Sequence, residues 1–309
     1  MLLLILILLA NVLSVHKPVL LSEMLSSLNP QAGGVYVDAT FGGGGYTRAI
    51  LDAQLSCTVV AIDRDPAALV RAQAFKTDYP DNFHFVQGCF SDIDNLLIPY
   101  APVDGIVFDF GVSSYQLDEA ERGFSFRFDG PLDMRMSQTG ITAADVVNTY
   151  SAENIAQILW SYGEEPRSRK IAKAIVEARS LKPLTTTLEL ANIVRQIVRR
   201  TDGLDPATLT FQGLRIFVNN ELIEIDKVLR KCLPLLHIGG RIVTVTFQGL
   251  EDRLVKNWFR DHRHGQSAHP SLAIEALFKK PLSPNFEEVK SNPRSRSGKL
   301  RAFSVCSTL

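Results

Sequence analysis

Short apolar runs alternate with amphipathic stretches between residues 30 and 110, and this alternation restricts the possible folds more than any other feature of the chain. The predicted strands are 35–41, 58–63, 83–87 and 103–110, and the predicted helices between them are 46–53 and 66–75. Strands separated by helices pair in parallel through right-handed crossovers. The sequence therefore predicts an α/β fold with a parallel sheet, and such sheets bind ligands beyond the carboxyl ends of their strands.

The periodicity becomes helical after residue 120. Apolar residues recur three and four positions apart in 143–160, 167–179 and 187–200, and a longer helical stretch at 213–236 leads to a further strand at 239–247. A helical region between two strands of one sheet is typical of an inserted domain.

These patterns divide the chain. Residues 16–120 and 213–309 are predicted to form the sheet domain, and 121–212 an inserted all-α domain. The segment 281–298 is rich in Pro, Ser and Asn and predicts an ordered or semi-ordered loop.

Residues 1–15 form an apolar N-terminal extension. Its run of about 14 apolar residues is shorter than the roughly 20 needed to span a bilayer, and it lacks a cationic n-region and an A-x-A cleavage site. Three interpretations stay open: a wrongly assigned upstream start, a membrane-associating segment, or a helix packed on the body. We favour the first and expect no stable membrane partner.

The charge balance and the cysteines exclude some classes of protein. The 309 residues carry 33 basic and 33 acidic side chains, so no global positive field indicates nucleic acid, and any such contact must come from local clusters. The four cysteines are scattered, which fits a reducing compartment and predicts a cytoplasmic protein.

Four consecutive glycines in "DATFGGGGYT" lie between the first predicted strand and its helix. A phosphate-binding P-loop needs Gly-Lys followed by Ser or Thr, whereas Tyr46 and Thr47 follow Gly45 here. The dinucleotide pattern G-x-G-x-x-G fails at its last position, where Thr47 replaces glycine. A methyl-donor site remains, with a plain loop as the alternative.

Acidic residues end the second and fourth predicted strands. Asp63 lies 18 residues after Gly45, where an acid can accept hydrogen bonds from both hydroxyls of a ribose. Phe90 follows the third strand and can flank an adenine, and Asp109 ends the fourth strand. This order fits S-adenosylmethionine. The alternative is that both acids only cap helices, which would make their order along the sheet a coincidence.

Seven stretches of the chain resemble the bacterial RsmH methyltransferase family, also called MraW. They are "HKPVLLSEML", "DATFGGGGYTRAIL", "AIDRDP", "FDFGVSSYQLDEAERGFSFRFDGPLDMRM", "TFQGLRIFVNNEL", "LEDRLVK" and "NPRSRSGKLR". The resemblance covers residues 16–303, and the block at 108–136 is its most specific part. It implies a class I Rossmann-like, S-adenosylmethionine-dependent enzyme with an inserted helical substrate domain. The implied reaction is methylation at N4 of a cytidine in the decoding region of 16S ribosomal RNA, within the small subunit.

The resemblance also implies the cofactor residues. Gly44, Gly45 and Tyr46 would form the cofactor loop, Asp63 would take the ribose, Phe90 would flank the adenine, and Asp109 and Gln116 would complete the pocket. The chain departs from the common family pattern at three places, which are Tyr46, Leu209 and the pair Gln248-Gly249.

The end of the fourth strand is where cofactor and target base can meet. Methyl transfer to an amino nitrogen needs an acceptor for an amine hydrogen, which nominates Asp109 as the catalytic residue, with Ser113 or the backbone carbonyls of 110–112 as alternatives. Phe110, Phe124 and Phe126 either stack on a flipped base or belong to the core.

Candidate RNA contacts lie in the matching motifs and in two cation clusters. The candidates are Arg135, Arg215, Asn219, Arg253, Lys256, Arg294 and Arg296. The clusters are 166–173 and 290–301, for which a solvated surface is the alternative.

Other functions stay open beside RNA methylation. One is a methyltransferase for another nucleic acid or a small molecule, and another is a binding protein without catalysis. The Pro-Pro-aromatic tetrapeptide of amino-methylating DNA enzymes is absent, so no DNA partner is expected. His262, His264 and His269 lack a completing ligand, so no metal site is expected.

Overall fold

A computed structural model of the protein describes residues 18–199, 203–267 and 269–308. The predictions for residues 1–15 lie outside the described residues. Within the described ranges, no helix combines the length and the apolar character that crossing a membrane requires.

The strands are β1 (Val35–Asp38), β2 (Thr58–Asp63), β3 (Phe83–Gln87), β4 (Val103–Asp109), β5 (Leu236–Thr246), β6 (Leu272–Ala276) and β7 (Lys299–Ser307). The first six helices are α1 (Leu21–Leu28), α2 (Gly45–Ala53), α3 (Pro66–Asp78), α4 (Ile93–Leu96), α5 (Ser114–Asp118) and α6 (Ala143–Thr149). The later helices are α7 (Ala152–Gly163), α8 (Ser168–Leu181), α9 (Thr187–Ile197), α10 (Thr208–Asn219), α11 (Glu221–Cys232), α12 (Gly249–His262) and α13 (Phe286–Ser291).

The strands form one seven-stranded sheet in the order β3-β2-β1-β4-β5-β7-β6. β1 to β5 pair in parallel, and β7 is antiparallel to both of its neighbours. The five predicted strands are confirmed, although β1 ends at Asp38 because the chain turns there into the glycine loop. β6 and β7 are not foreseen by the sequence analysis. The α/β, Rossmann-like fold is thus confirmed, and the carboxyl ends of β1 to β5 share one edge.

Apolar residues cover both faces of the sheet and form a further core among the helices. Val37 and Phe108 belong to the cluster under α11 and α12, and Val59 and Val107 to the cluster under α1 and α2. A third cluster joins α6 to α10 with the loop that precedes them, around residues such as Leu159. The sheet domain is therefore accompanied by a helical region that has a hydrophobic core of its own.

The helical predictions hold in type but differ in their bounds. The stretch 143–160 is two helices, because Ser151 begins a new helix by accepting a hydrogen bond from the Asn154 N–H at 3.2 Å. The stretch 213–236 is also two helices, which meet at Asn220 in a left-handed conformation with φ of 53°. The position 212/213 falls inside α10, and residues 281–298 contain α13 and a 3₁₀ turn.

α10 packs directly on α7. A Cβ atom added to Gly163 would lie 2.3 Å from the Leu209 carbonyl oxygen, so the two helices approach too closely there for any other residue. Phe211 and Leu214 of α10 are buried in the third cluster. The helical core therefore includes residues on both sides of position 212.

Candidate active site

The glycine loop closes over the carboxyl end of β1. Gly42 and Gly44 have positive φ angles of 51° and 77°, which disfavour other residues. A Cβ atom on Gly44 would also lie 2.3 Å from the Phe75 ring. Asp38 holds the loop from below, because its carboxylate accepts hydrogen bonds from the Thr47 hydroxyl at 2.7 Å and the Thr40 N–H at 3.2 Å. The loop is therefore a fixed backbone cradle at the edge of the sheet.

Asp63 lies beside this cradle at the end of β2. Its two carboxylate oxygens accept hydrogen bonds from the Gly42 N–H at 2.7 Å and the Asp65 N–H at 2.8 Å. Burial raises the pKa of Asp63 above its ordinary value, and these hydrogen bonds oppose the rise. Each oxygen keeps a further lone pair, so the carboxylate can also accept from ligand hydroxyls.

Asp109 ends β4 at the same edge. Its backbone N–H donates to the Thr40 hydroxyl at 2.7 Å, which fixes the position of the residue. Its Oδ1 atom is buried and has no hydrogen-bond partner among the described residues. Burial, reinforced by Asp38 and Glu251, raises the pKa of Asp109 to about 8. The carboxyl group is therefore largely protonated at neutral pH in the free protein.

Two more buried acids surround Asp109. Burial raises the pKa of Asp38 to about 6. Glu251 is fully buried, accepts hydrogen bonds from the Phe247 N–H at 2.8 Å and the Gln248 side chain at 2.7 Å, and also has a raised pKa. Among the described residues, the nearest cation to these acids is Arg215, 4.0 Å from Glu251. This cluster of Asp38, Asp109 and Glu251, here called the strand-end acids, thus brings three buried or partly buried carboxyl groups together with little cationic charge beside them.

Asp65, two residues beyond Asp63, belongs to a different network. Its carboxylate accepts hydrogen bonds from the Arg122 guanidinium at 2.8 Å, the Gln116 amide at 2.9 Å and the Ala67 N–H at 3.0 Å. The Gln116 carbonyl oxygen accepts from the Ser113 N–H at 3.1 Å, so both ends of the predicted cofactor residue Gln116 already have partners within the protein, and its contact with the cofactor stays a prediction.

Ser113, the alternative catalytic residue, caps helix α5. Its hydroxyl oxygen accepts a hydrogen bond from the Gln116 N–H at 3.3 Å, as is usual at a helix N-cap. The hydroxyl hydrogen remains available, but the local structure already accounts for a serine at this position.

The aromatic candidates divide between core and rim. Tyr46 is buried, and its hydroxyl donates to the Val19 carbonyl, so that hydroxyl is not free for a ligand. Phe110 and Phe124 are also buried and belong to hydrophobic clusters. These two rings are therefore core residues and not surfaces for base stacking. Phe126 packs edge-on against Phe211 with ring centroids 4.7 Å apart. Phe90 is half-buried at the end of β3, beside the rings of Phe108 and Phe110.

Two predicted RNA contacts are corrected by the structure. Asn219 is buried, its amide donates to the Met134 carbonyl at 2.7 Å, and its oxygen accepts from the Met136 N–H at 2.8 Å. Arg215 forms a mostly buried bidentate pair with Glu221 at 2.8 and 3.0 Å. Tertiary packing uses both residues to join α10 to its neighbours, and neither presents a free polar group at the surface.

The other cationic candidates lie nearer the surface. Arg135 is bonded to Asp133 at 2.6 Å, Arg253 lies 3.7 Å from Glu164, and Arg294 pairs with Asp118. Lys256 and Arg296 are exposed. For these residues RNA contact stays a prediction, and Lys256 and Arg296 have the least competition from acids.

Sequence reasoning missed several residues of the site. Asp38 ends β1 just as Asp63 and Asp109 end their strands, so the same strand-end rule would have identified it. Glu251 and Arg122 gave no local signal, because their partners Arg215 and Asp65 are distant in the chain.

The fold and the site together define a class of protein. A glycine cradle after β1, an acid after β2, an acid after β4 and an antiparallel last strand are the arrangement of class I methyltransferases, and the strand-end acids are groups that can ionise beside a cationic sulfonium ligand.

Comparison with known proteins agrees with this class. Residues 13–306 match the family model described as the MraW methylase family. A ribosomal RNA small subunit methyltransferase H from Rhodospirillum rubrum is 48% identical and covers 94% of each chain. Relatives of the same name from Ehrlichia chaffeensis and Gluconobacter oxydans are 51% and 50% identical, covering 93% and 94% of this chain and 99% and 93% of their own. The chain belongs to the MraW methylase family, and its cofactor is S-adenosylmethionine.

Proposed function

We propose that this protein methylates N4 of a cytidine in the decoding region of 16S ribosomal RNA, bound within the small ribosomal subunit in the cytoplasm. Its relatives are named as small subunit ribosomal RNA methyltransferases, and membership of their family supports the same class of substrate here. The choice of an amino nitrogen as methyl acceptor rests on the chemistry of Asp109.

The main support for the proposal is the buried oxygen of Asp109. The N4 lone pair of cytosine is delocalised into the ring, so the protein must orient the amino group and accept one of its hydrogens as the nitrogen becomes tetrahedral. Asp109 offers a buried carboxyl oxygen without another partner among the described residues, on a backbone fixed by Thr40. This is the type of acceptor that an amino group requires.

The residues that would hold the cofactor fit it. Asp63 would accept hydrogen bonds from the ribose hydroxyls, the glycine cradle would allow close approach of the backbone, and Phe90 would flank the adenine. When bound, S-adenosylmethionine supplies an electrophilic methyl group on a sulfonium. Such a cation would favour ionisation of the strand-end acids, and the carboxylates so formed would attract it.

The protonation state of Asp109 follows from this environment. A positive charge placed nearby favours the ionised carboxyl, so the pKa of Asp109 should fall toward neutral pH or below in the loaded protein. Asp109 would then be a carboxylate when the amino group arrives and would be available as a hydrogen-bond acceptor.

We further propose that the helices from α6 to α10 take part in substrate recognition. Arg64, next to the predicted ribose acid, donates to the Asn219 carbonyl at 3.0 Å and thereby joins β2 to the end of α10. The contact places the helical region against the cofactor edge of the sheet.

The test is transfer of labelled methyl from S-adenosylmethionine to purified small subunits and to naked 16S RNA, followed by nuclease digestion and mass analysis of the nucleosides. We expect N4-methylcytidine at one position in the decoding region. A label on another nucleoside, or on DNA or a small molecule instead, would contradict the proposed specificity.

A further inference from the structure

A cavity lies at the β6–β7 side of the sheet, away from the glycine cradle. Its volume is about 280 Å³. The lining residues are Phe259, Ala276, Phe278, Lys279, Lys280, Arg301, Ala302 and Phe303. None of them is acidic, and three of the eight are aromatic. This cavity, here called the edge pocket, plays no part in the site described above.

The edge pocket has an aromatic floor. Phe259 of α12 stacks on Phe303 of β7 with ring centroids 5.1 Å apart and planes inclined by 27°. Phe303 is buried, Phe259 is half-buried, and Phe278 is 38% exposed. The pocket therefore presents ring surface that the fold itself does not cover.

The rim of the edge pocket is cationic. Lys279 and Lys280 are exposed, and neither has a hydrogen-bonded or ion-pair partner among the described residues. Arg301 differs from them, because its guanidinium is bonded to Asp252 at 2.7 and 3.3 Å. The two lysines thus supply the positive charge that is available to a ligand.

The segment that lines the edge pocket leads from β6 toward the edge of the sheet that holds the strand-end acids. β5 and β6 run in the same direction, since both are antiparallel to β7, and the chain leaves β6 at the carboxyl edge. There the Leu277 N–H donates to the Ala302 carbonyl at 2.9 Å, which holds residues 278–280 beside β7. Lys256, one turn before Phe259 on α12, adds a further exposed cation nearby.

We infer that the edge pocket binds one nucleotide of single-stranded RNA on the flank of the target nucleotide. The base would stack on Phe278 and Phe259, and Lys279 and Lys280 would contact the adjoining phosphates. Exposed aromatic rings beside unpaired cations form the usual surface for unpaired bases, and the volume suits one base better than a complete cofactor. The inference rests on the proposed function, because it takes the substrate to be RNA.

The experiment measures binding of a fluorescent ten-nucleotide oligouridylate to the full chain over a series of salt concentrations. In the double variant Lys279→Ala, Lys280→Ala we expect the slope of log affinity against log salt to shrink by about 1.4, because each single-strand phosphate contact contributes about 0.7. Phe278→Leu, which keeps an apolar side chain but removes the ring, should weaken binding about tenfold and leave the slope unchanged.

Arg230→Ala, Lys231→Ala is the matched control. It removes two cations at the end of α11, near the start of β5 and so at the opposite edge of the sheet, where both are already paired with acids. Its affinity and its slope should match those of the wild type. Binding of S-adenosylmethionine, measured by calorimetry, should be the same in all the variants and so report an intact fold.

Wild-type affinity and slope in both pocket variants would overturn the inference, as would an equal loss in the control variant. Failure of the proposed function appears separately, as absence of methyl transfer by the wild type to small subunits and 16S RNA while oligouridylate binding still depends on the edge pocket.

Discussion

Asp65 and Asp109 lie near the ends of two strands of the same sheet, yet the protein treats their carboxyl groups in opposite ways. Asp65 is 2% exposed and is neutralised by Arg122, whose side chain is only 12% exposed. Asp109 has a buried oxygen without a partner among the described residues and faces Asp38 and Glu251. The first arrangement joins the loop around residue 122 to the sheet, whereas the second leaves a carboxyl oxygen without a partner among the described residues.

The difference shows where the protein accepts an energetic cost. A buried carboxyl group that lacks a cation shifts its pKa and destabilises its charged form. Neutralising Asp109 would need only one nearby cation, as at Asp65, but it would also remove the acceptor and repel a sulfonium. The proposed role of Asp109 as a hydrogen-bond acceptor would account for this cost.

The largest expected effect comes from removing the cation that pairs with Asp65. Arg122→Met leaves Asp65 buried without its cation and should lower the free energy of unfolding by about 3–5 kcal/mol. Urea unfolding measures this directly. Arg230→Ala, which removes an exposed partner of Asp226, should cost less than about 1 kcal/mol and serves as the control. A loss as small in Arg122→Met would show that the Asp65 network is not structural.

The next largest effect concerns Asp109, whose buried oxygen has no partner among the described residues. Asp109→Asn keeps the shape and the hydrogen-bonding capacity of the side chain but removes its charge. We expect the single-turnover rate of methyl transfer to fall at least about a hundredfold, more than any loss of cofactor affinity. If the full rate returns at saturating cofactor, Asp109 only binds the cofactor, and Ser113 or the carbonyls of 110–112 become the candidates.

A smaller effect tests Asp63, which is partly satisfied by backbone N–H groups. Asp63→Ala removes charge-assisted hydrogen bonds worth about 1.5–3 kcal/mol, so S-adenosylmethionine should bind at least about tenfold more weakly. Calorimetry measures the affinity, and circular dichroism verifies the fold. Unchanged affinity would remove Asp63 from the cofactor site.

The last effect, which accumulates gradually, is a dependence of stability on pH. Because the pKa of Asp109 is raised to about 8, the folded protein keeps a proton that the unfolded chain releases above about pH 4. Its contribution to stability is therefore complete below that pH and is lost as the pH rises to about 8, by at most about 1.4 kcal/mol per pH unit.

Asp109→Asn should lack this contribution. The cofactor-free variant should gain stability relative to the wild type as the pH rises from 5 to about 8, as measured by urea unfolding at several pH values. Asp38 titrates in both proteins, so the difference between them is the informative quantity. Parallel pH profiles would contradict a raised pKa at Asp109.

The sequence predicts the strands and their functional ends well, because both follow local patterns. Periodicity locates β1 to β5, and a polar residue at a strand end identifies Asp63 and Asp109. β6 is only five residues long, and β7 follows a loop rich in Pro and Ser, so neither has a strong local signal.

The sequence does not show which distant residues form hydrogen bonds or ion pairs with each other. Asn219 and Arg215 are residue types that often contact RNA. In the fold, Asn219 is buried and bonded to the 134–136 segment, and Arg215 is paired with Glu221. In the same way, only the folded chain shows that Arg122 neutralises Asp65, whereas none of the cations in the described residues pairs with Asp109.

The proposed role of Asp109 depends on its ionisation, which carboxyl carbon NMR can follow when wild type and Asp109→Asn are compared across pH. In the free protein we predict a resonance assigned to Asp109 that titrates near pH 8. S-adenosylmethionine should lower that pKa clearly more than S-adenosylhomocysteine does, because both carry the amino-acid charges but only S-adenosylmethionine carries a sulfonium cation. An ordinary pKa near 4 in the free protein, or equal shifts with the two ligands, would contradict the account.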